Sequence, residues 1–319
     1  MTTHTIDCDY LGAPGVAAAY LLEAGNELAF VETNTTRALP LLLGALAQRQ
    51  LRPEQVRYVI ITHVHLDHAG GAGALMRACP SATLLAHPRA ARHVIDPSRL
   101  VQSARAVYGD ERFEQLYGEI VPVPAERVRA LDDGSTVPLA GRELSFLHTR
   151  GHANHHFVVH DSEVGAVYTG DAFGIVYPGL QRGGLLAFPS TSPTDFDPEA
   201  AVAAVDRIAS LGATHVYPTH MGRYDDVEGI ADQLRPLLEV SGAILAEADS
   251  SGREGADLDA FCAERVDALF DDLLTGRGLG ADGRARALVD IDRDLNGQGI
   301  AAAVRKRRYK RALHGRGLQ

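Results

Sequence analysis

A chain of 319 residues with 45% hydrophobic content can bury a large core, and its length allows one domain or two. The formal net charge of -10 repels nucleic acid and anionic membrane surfaces rather than collecting them. Three scattered cysteines, Cys8, Cys79 and Cys262, make neither a C-x-x-C pair nor a disulfide framework. With no signal-peptide pattern at the start and no apolar run of bilayer length, a cytoplasmic protein without membrane partners is expected.

The apolar runs Val16 to Leu22 and Leu28 to Glu32 flank Gly25 and Asn26, residues that tolerate positive φ, which predicts a hairpin. Leu39 to Gln50 has helical spacing and stops before Pro53, after which Tyr58 to Ile61 reads as a buried strand. A short helix over Ala72 to Ala78 and a strand over Ala82 to Ala86 follow, then one longer helical stretch from Pro97 to Tyr117. Extended segments are expected near Val128 to Leu131, Glu143 to Thr149, Phe157 to His160 and Ala166 to Thr169. Pro198 to Leu211 reads as a helix N-capped by Asp197, and His215 to Tyr217 as a short strand. Beyond Tyr224 the pattern turns helical over Asp226 to Asp249, Leu258 to Leu274 and Ile300 to Leu313.

The strand at Tyr58 runs into T-H-V-H-L-D-H, residues 62 to 68. Alternation sends His63 and His65 to one side, while the following turn can bring Asp67 and His68 to a neighbouring point. Four ligand-type side chains at one strand end can serve two adjacent metal ions. Later strand ends repeat the theme with His152 in R-G-H, Asp171 in T-G-D and His220 in P-T-H-M-G.

In this order and context the motifs resemble the metallo-β-lactamase superfamily over roughly residues 10 to 225. The resemblance implies a four-layer αββα sandwich, residues 1–228, with a C-terminal helical appendage, residues 229–319. It further implies that His63, His65 and His152 hold one metal, that Asp67, His68 and His220 hold a second, and that Asp171 bridges them. Imidazole and carboxylate donors suit zinc, iron or manganese, so two divalent ions are expected, zinc foremost. Two such ions activate a bridging water and polarise a carbonyl or phosphoryl oxygen, and Asp67 is the candidate to orient that water or relay its proton.

Asp171 argues against the true β-lactamases and for the branch with glyoxalase II and the lactonases. Gly170-Asp171 continues A-F-G-I-V-Y-P rather than into a glutathione-binding segment. Gly174 stands where acyl-homoserine lactonases carry tyrosine. The stretches Ser190 to Glu199 and Asp294 to Ala301 are similar to an uncharacterised group of the superfamily. The expected activity is hydrolysis of a small ester, thioester or lactone. Alternatives are a persulfide dioxygenase with one iron on His63, His152 and Asp171, a nuclease or phosphodiesterase, and a non-catalytic metal-binding sensor. His155, His156, Phe173, Tyr177 and Tyr224, with Phe188 and Met221, are candidates for a small-molecule pocket. Glu32 in V-E-T-N is open between a family-typical acid and a turn or cap. The cationic run Arg305 to Arg311 reads as a solvated helix face, and the oligomeric state is left open, a homodimer included.

Overall fold

The computed structural model describes residues 2–191 and 195–316, so positions 192–194 of the Ser190 to Glu199 stretch lie outside the described residues. Strands are β1 Thr2–Asp7, β2 Ala18–Ala24, β3 Glu27–Val31, β4 Val56–Ile60, β5 Thr83–Ala86, β6 Val128–Ala130, β7 Ser135–Leu139, β8 Arg142–His148, β9 Phe157–Asp161, β10 Ala166–Gly170 and β11 His215–Pro218. Helices are α1 Leu39–Gln48, α2 Leu66–Ala69, α3 Ala72–Ala78, α4 Pro88–Ile95, α5 Ser98–Tyr108, α6 Asp110–Tyr117, α7 Pro198–Ala209, α8 Val227–Ser250, α9 Gly255–Gly276 and α10 Gly283–Arg316. The helix expected over residues 97–117 is two helices, because Gly109 at φ +76° breaks it between α5 and α6. The last helix begins well before Ile300, at Gly283. Two strands that the apolar pattern did not announce, β1 and β7, are mixed polar edge strands.

The described chain divides into two compact units interleaved along the sequence. The first is Met1–His148, His155–Gly170 and Gly212–Val227, and the second is Thr149–Asn154, Asp171–Leu211 and Glu228–Gln319.

The first unit contains a six-stranded sheet in the order β1 to β6 and a five-stranded sheet in the order β11-β10-β9-β8-β7. β3, β4, β5 and β6 run parallel, as do β10 and β11, while the remaining pairs are antiparallel. The period of two sorts the side chains. Ala18, Tyr20, Leu22, Ala29, Val31, Tyr58, Ile60 and Leu85 face a core shared with Phe146, Phe157, Val159 and Tyr168 of the second sheet. Their neighbours Ala19, Leu21, Leu28, Phe30, Val59 and Leu84 pack with Leu42, Leu46, Leu75, Ala90 and Val94 from α1, α3 and α4. Both faces of β3, β4 and β5 are therefore largely buried, which is why these strands are mostly apolar, whereas the edge strand β6 is exposed and carries Arg129.

In the second unit α9 and α10 pack along each other. α9 offers Leu258, Cys262, Val266, Phe270 and Leu274, spaced by four. Gly297 of α10 permits close approach, since a Cβ there would lie 3.2 Å from Ala263 Cα. Asp197 caps α7 through the Ala200 amide at 3.3 Å. No helix among the described residues is long and apolar enough to cross a membrane.

Gly73 in α3 abuts the backbone after α6: an added Cβ would lie 1.9 Å from the Val121 carbonyl oxygen. Gly73→Ala is therefore expected to destabilise the protein by about 1–3 kcal/mol, read as a lower urea midpoint at unchanged slope. A second test concerns His87, whose ring packs at a tilt against that of His148, 4.1 Å between ring centroids. Burial, then the neighbouring His148, His155 and Arg89, push its pKa from 6.5 down to about 4. The unfolded chain then binds this proton first as pH falls, so stability should drop between pH 6.5 and about 4. His87→Gln should flatten that part of the pH-stability curve.

Candidate metal centre

The parallel strands of the first unit set the ligand loops at their carboxyl ends. β4 ends at Ile60, and Thr62-His63-Val64-His65 passes into α2, which carries Asp67 and His68. The loop after β3 grips this segment from below. Thr33 N and Oγ1 both donate to the His68 carbonyl at 2.9 and 2.8 Å, and Asn34 Nδ2 donates to the Asp67 carbonyl at 3.0 Å. Glu32 and Asn34 adopt positive φ, +67° and +51°, which turns the chain sharply enough to make these contacts. Gly71 is required at the same junction, since a Cβ would lie 2.8 Å from the Thr33 and Thr35 carbonyl oxygens.

Each of four histidines has its Nδ1 on an oxygen that fixes the tautomer. His68 Nδ1 donates to Glu32 Oε1 at 3.1 Å, and His220 Nδ1 to the Val16 carbonyl at 2.9 Å. In the second unit, His152 Nδ1 donates to the Ser190 carbonyl at 3.1 Å. The Thr62 hydroxyl donates to Glu32, which leaves its lone pair to accept from His63 Nδ1 at 3.0 Å. With the hydrogen on Nδ1, each Nε2 presents a lone pair, the arrangement a metal-binding imidazole requires.

Three of those lone pairs face carboxylates. In the first unit Asp67 Oδ2 lies 3.6 Å from His68 Nε2 and 3.4 Å from His220 Nε2. In the second, His152 Nε2 is 3.5 Å from Asp171 Oδ2. Electron-pair donors that face one another at such separations repel unless a cation lies among them, so the donor set fits a divalent ion. His63 is fully buried, with its ring 4.4 Å from that of His65 and 4.0 Å from that of His68.

Glu32 also meets the geometric criterion for a ligand group with His63 and His68, yet its oxygens already accept from Thr62 N, Thr62 Oγ1, His68 Nδ1 and Thr219 Oγ1. It orients ligands. The sequence leaves it open between a turn and a family-typical acid; an acidic residue ending a fully apolar strand is the available signal. The supporting threonines, Thr62 and Thr219, each directly before a candidate ligand histidine, are not among the residues that the sequence pattern singles out.

Other candidates divide between the units. In the first, His156 is buried against the strand end, where a Cβ on Gly170 would lie 2.5 Å from both His156 Nε2 and Thr62 Oγ1. His155 is half-buried, its ring 5.7 Å from His65 and 6.1 Å from His63. Tyr224 is half-buried and pairs its backbone with Val216; burial pushes its hydroxyl up to about 12. Met221 is buried with the inter-sheet core. In the second unit Phe173 and Phe188 are buried and Tyr177 bonds Asp292 at 3.1 Å. Burial pushes the Cys8 and Cys79 thiols up to about 12 and Cys262 up to about 11, so none is a ready thiolate ligand.

The architecture and this donor set have counterparts among known proteins. A family model described as Metallo-beta-lactamase superfamily matches residues 12–220. The chain is 24% identical over 217 residues to the Beta-lactamase-like protein 2 homolog of Caenorhabditis elegans, covering 67% of this chain and 59% of that one. It is 26% identical over 187 residues to the human Acyl-coenzyme A thioesterase MBLAC2, covering 51% of this chain and 59% of that one. The chain thus spans about half to three fifths of the length of the curated relatives it matches. Among solved structures, a metallo-beta-lactamase family protein from Thermus thermophilus superposes with a TM-score of 0.66 at 22% identity, covering 96% of this chain and 93% of that one. A strand-end histidine and aspartate set on two packed sheets, the structural likeness and the match across most of the chain agree: the protein belongs to the metallo-beta-lactamase superfamily.

Proposed function

We propose that the protein is a dinuclear metal-dependent hydrolase of a small ester, thioester or lactone, with an acyl thioester the foremost candidate, acting in the cytoplasm. The observation that carries this reading is Asp67 Oδ2 facing the Nε2 atoms of both His68 and His220, which supports a second metal group besides the one expected at His63, His65 and His152. In this assignment His63, His65 and His152 would hold one ion and Asp67, His68 and His220 the other, with Asp171 a further carboxylate donor for them. The thioester preference draws on the human relative named as an acyl-coenzyme A thioesterase.

Divalent ions at these residues would lower the pKa of a water toward neutrality and polarise the substrate carbonyl. The protein's own contributions are positional. Glu32 and Thr62 hold the imidazoles of His68 and His63 in the binding tautomer, so no reorganisation is needed when charge develops. The Asp67 side chain keeps 25% of its surface exposed, and its carboxylate can hold a proton in transit from water toward the leaving group.

The cationic helix favours a small-molecule substrate over nucleic acid. Within the second unit Arg305 pairs with Asp259, Lys306 with Asp195, and Arg308 and Arg311 with Asp249, so much of its charge is already neutralised.

Asp171→Asn is expected to lower kcat by about 10²-fold or more while KM moves less, together with loss of metal on chelator titration. His220→Ala should lose activity as well. Full activity in His220→Ala with one bound iron would contradict the dinuclear reading and support the oxygenase. Glu32→Gln, which replaces an acceptor oxygen by an amide donor, should weaken metal binding about 10–100-fold with an unchanged circular dichroism spectrum.

A further inference from the structure

Two stretches of the sequence that the reaction does not use, one beginning at Ser190 and the other at Asp294, meet in the second unit. Asn296 of α10 is buried, 4% exposed, and grips Thr191, 1% exposed, through its backbone amide and its hydroxyl, whose single hydrogen is shared between two Asn296 oxygens. Thr191 N donates to Asn296 Oδ1 at 2.7 Å, and Thr191 Oγ1 lies 2.6 Å from Oδ1 and 3.0 Å from the Asn296 carbonyl. Asn296 Nδ2 in turn donates to the Asp292 carbonyl at 2.7 Å, so the amide's orientation is fixed from both sides. The residue before Thr191 supplies the carbonyl that accepts the His152 Nδ1 hydrogen at 3.1 Å. Moving Thr191 moves that carbonyl.

A second strap from the same helix reaches the same loop. Lys306 pairs with Asp195, whose other oxygen accepts from the Asn154 amide at 3.4 Å. Asp197 N also donates to the Gly151 carbonyl at 2.9 Å, and Gly151 leaves no room for a side chain, since a Cβ would lie 2.3 Å from Ala201 Cα. The His152 loop is thus held on both flanks, and α10 anchors it at two points, Asn296 and Lys306.

We propose that Asn296 and Thr191 are positioning residues for the metal ligand His152: the buried amide on α10 fixes the Ser190 carbonyl, and that carbonyl fixes the tautomer and ring direction of the imidazole. The inference rests on the reading of His152 as a ligand. It gives the helical C-terminal region a role in the chemistry of a residue far earlier in the chain, and it explains why a polar pair is buried where apolar packing would be simpler. Such a pair costs desolvation unless every member is bonded, and here the bonds run to backbone atoms that must not move.

The test is competition for Zn2+ between the full-length apo-protein and a chromophoric chelator, with thermal unfolding of each apo-variant alongside. Thr191→Val and Asn296→Ala should each weaken Zn2+ binding about 10–100-fold at one site. Thr191→Ser, which keeps the hydroxyl, should bind nearly as wild type. Val289→Ala, a buried truncation in the same helix, should lower the unfolding temperature and leave Zn2+ affinity unchanged. If Asn296→Ala fails to fold, the Thr191→Val and Thr191→Ser pair decides. Zn2+ affinity unchanged in Thr191→Val, with His152→Ala clearly weakened, would overturn the positioning role alone. Unchanged affinity in His152→Ala would overturn the ligand reading and this inference with it.

Discussion

The arrangement of the first unit depends on one buried carboxylate. Glu32 stands at the end of β3 and accepts hydrogen bonds from Thr62 after β4, His68 in α2 and Thr219 after β11. Thr62 and His68 follow β4 of one sheet, and Thr219 follows β11 of the other. A charge that is 0% exposed is tolerated only when such donors compensate it. The compensation works in both directions: the donors satisfy the carboxylate oxygens in the interior, and the carboxylate ties together the segments that carry those donors. Its position at φ +67° is an uncommon conformation for a residue with a side chain, and strain of this kind persists where surrounding structure over-determines it.

From that anchor the chemistry follows by a simple rule. A carbonyl, a carboxylate or an already-donating hydroxyl can only accept, so an imidazole nitrogen bound to one must carry its hydrogen there. His63, His68, His152 and His220 all obey it. Each therefore presents the lone pair of Nε2, and for three of them the atom faced is a carboxylate oxygen. Neutral imidazoles and anionic carboxylates held face to face make a poor arrangement in isolation and a good one around a cation. Within each unit the histidines are held by hydrogen bonds of that unit's own residues.

Much of the fold, and the placing of the candidate ligands at strand ends, was legible in the sequence because these residues follow apolar strands directly. Ile60-Ile61-Thr62-His63 and Tyr168-Thr169-Gly170-Asp171 announce a buried strand and a side chain delivered at its end. The same pattern marks β3, β4, β10 and β11, since strands buried on both faces read as continuous apolar runs. β1 and β7 escaped because edge strands carry alternating polar residues with no apolar signal. The break at Gly109 escaped because one glycine in a helical pattern is compatible with a continuous helix. The role of Glu32 was not readable, since it depends on three donors supplied by residues 30, 36 and 187 positions away. The clamp between Asn296 and Thr191 is hidden for the same reason: two ordinary polar side chains become a pair only once α10 has packed.

The central claim is that the folded chain holds two metal ions and uses them to hydrolyse an acyl thioester. The most direct measurement is elemental analysis of the purified wild-type protein, paired with turnover of an acyl-coenzyme A thioester in an oxygen-electrode cell. The account predicts about two metal ions per chain, thiol release, and no oxygen uptake with either the thioester or a persulfide. One iron per chain with oxygen consumed on a persulfide, and no thiol release from the thioester, would contradict it.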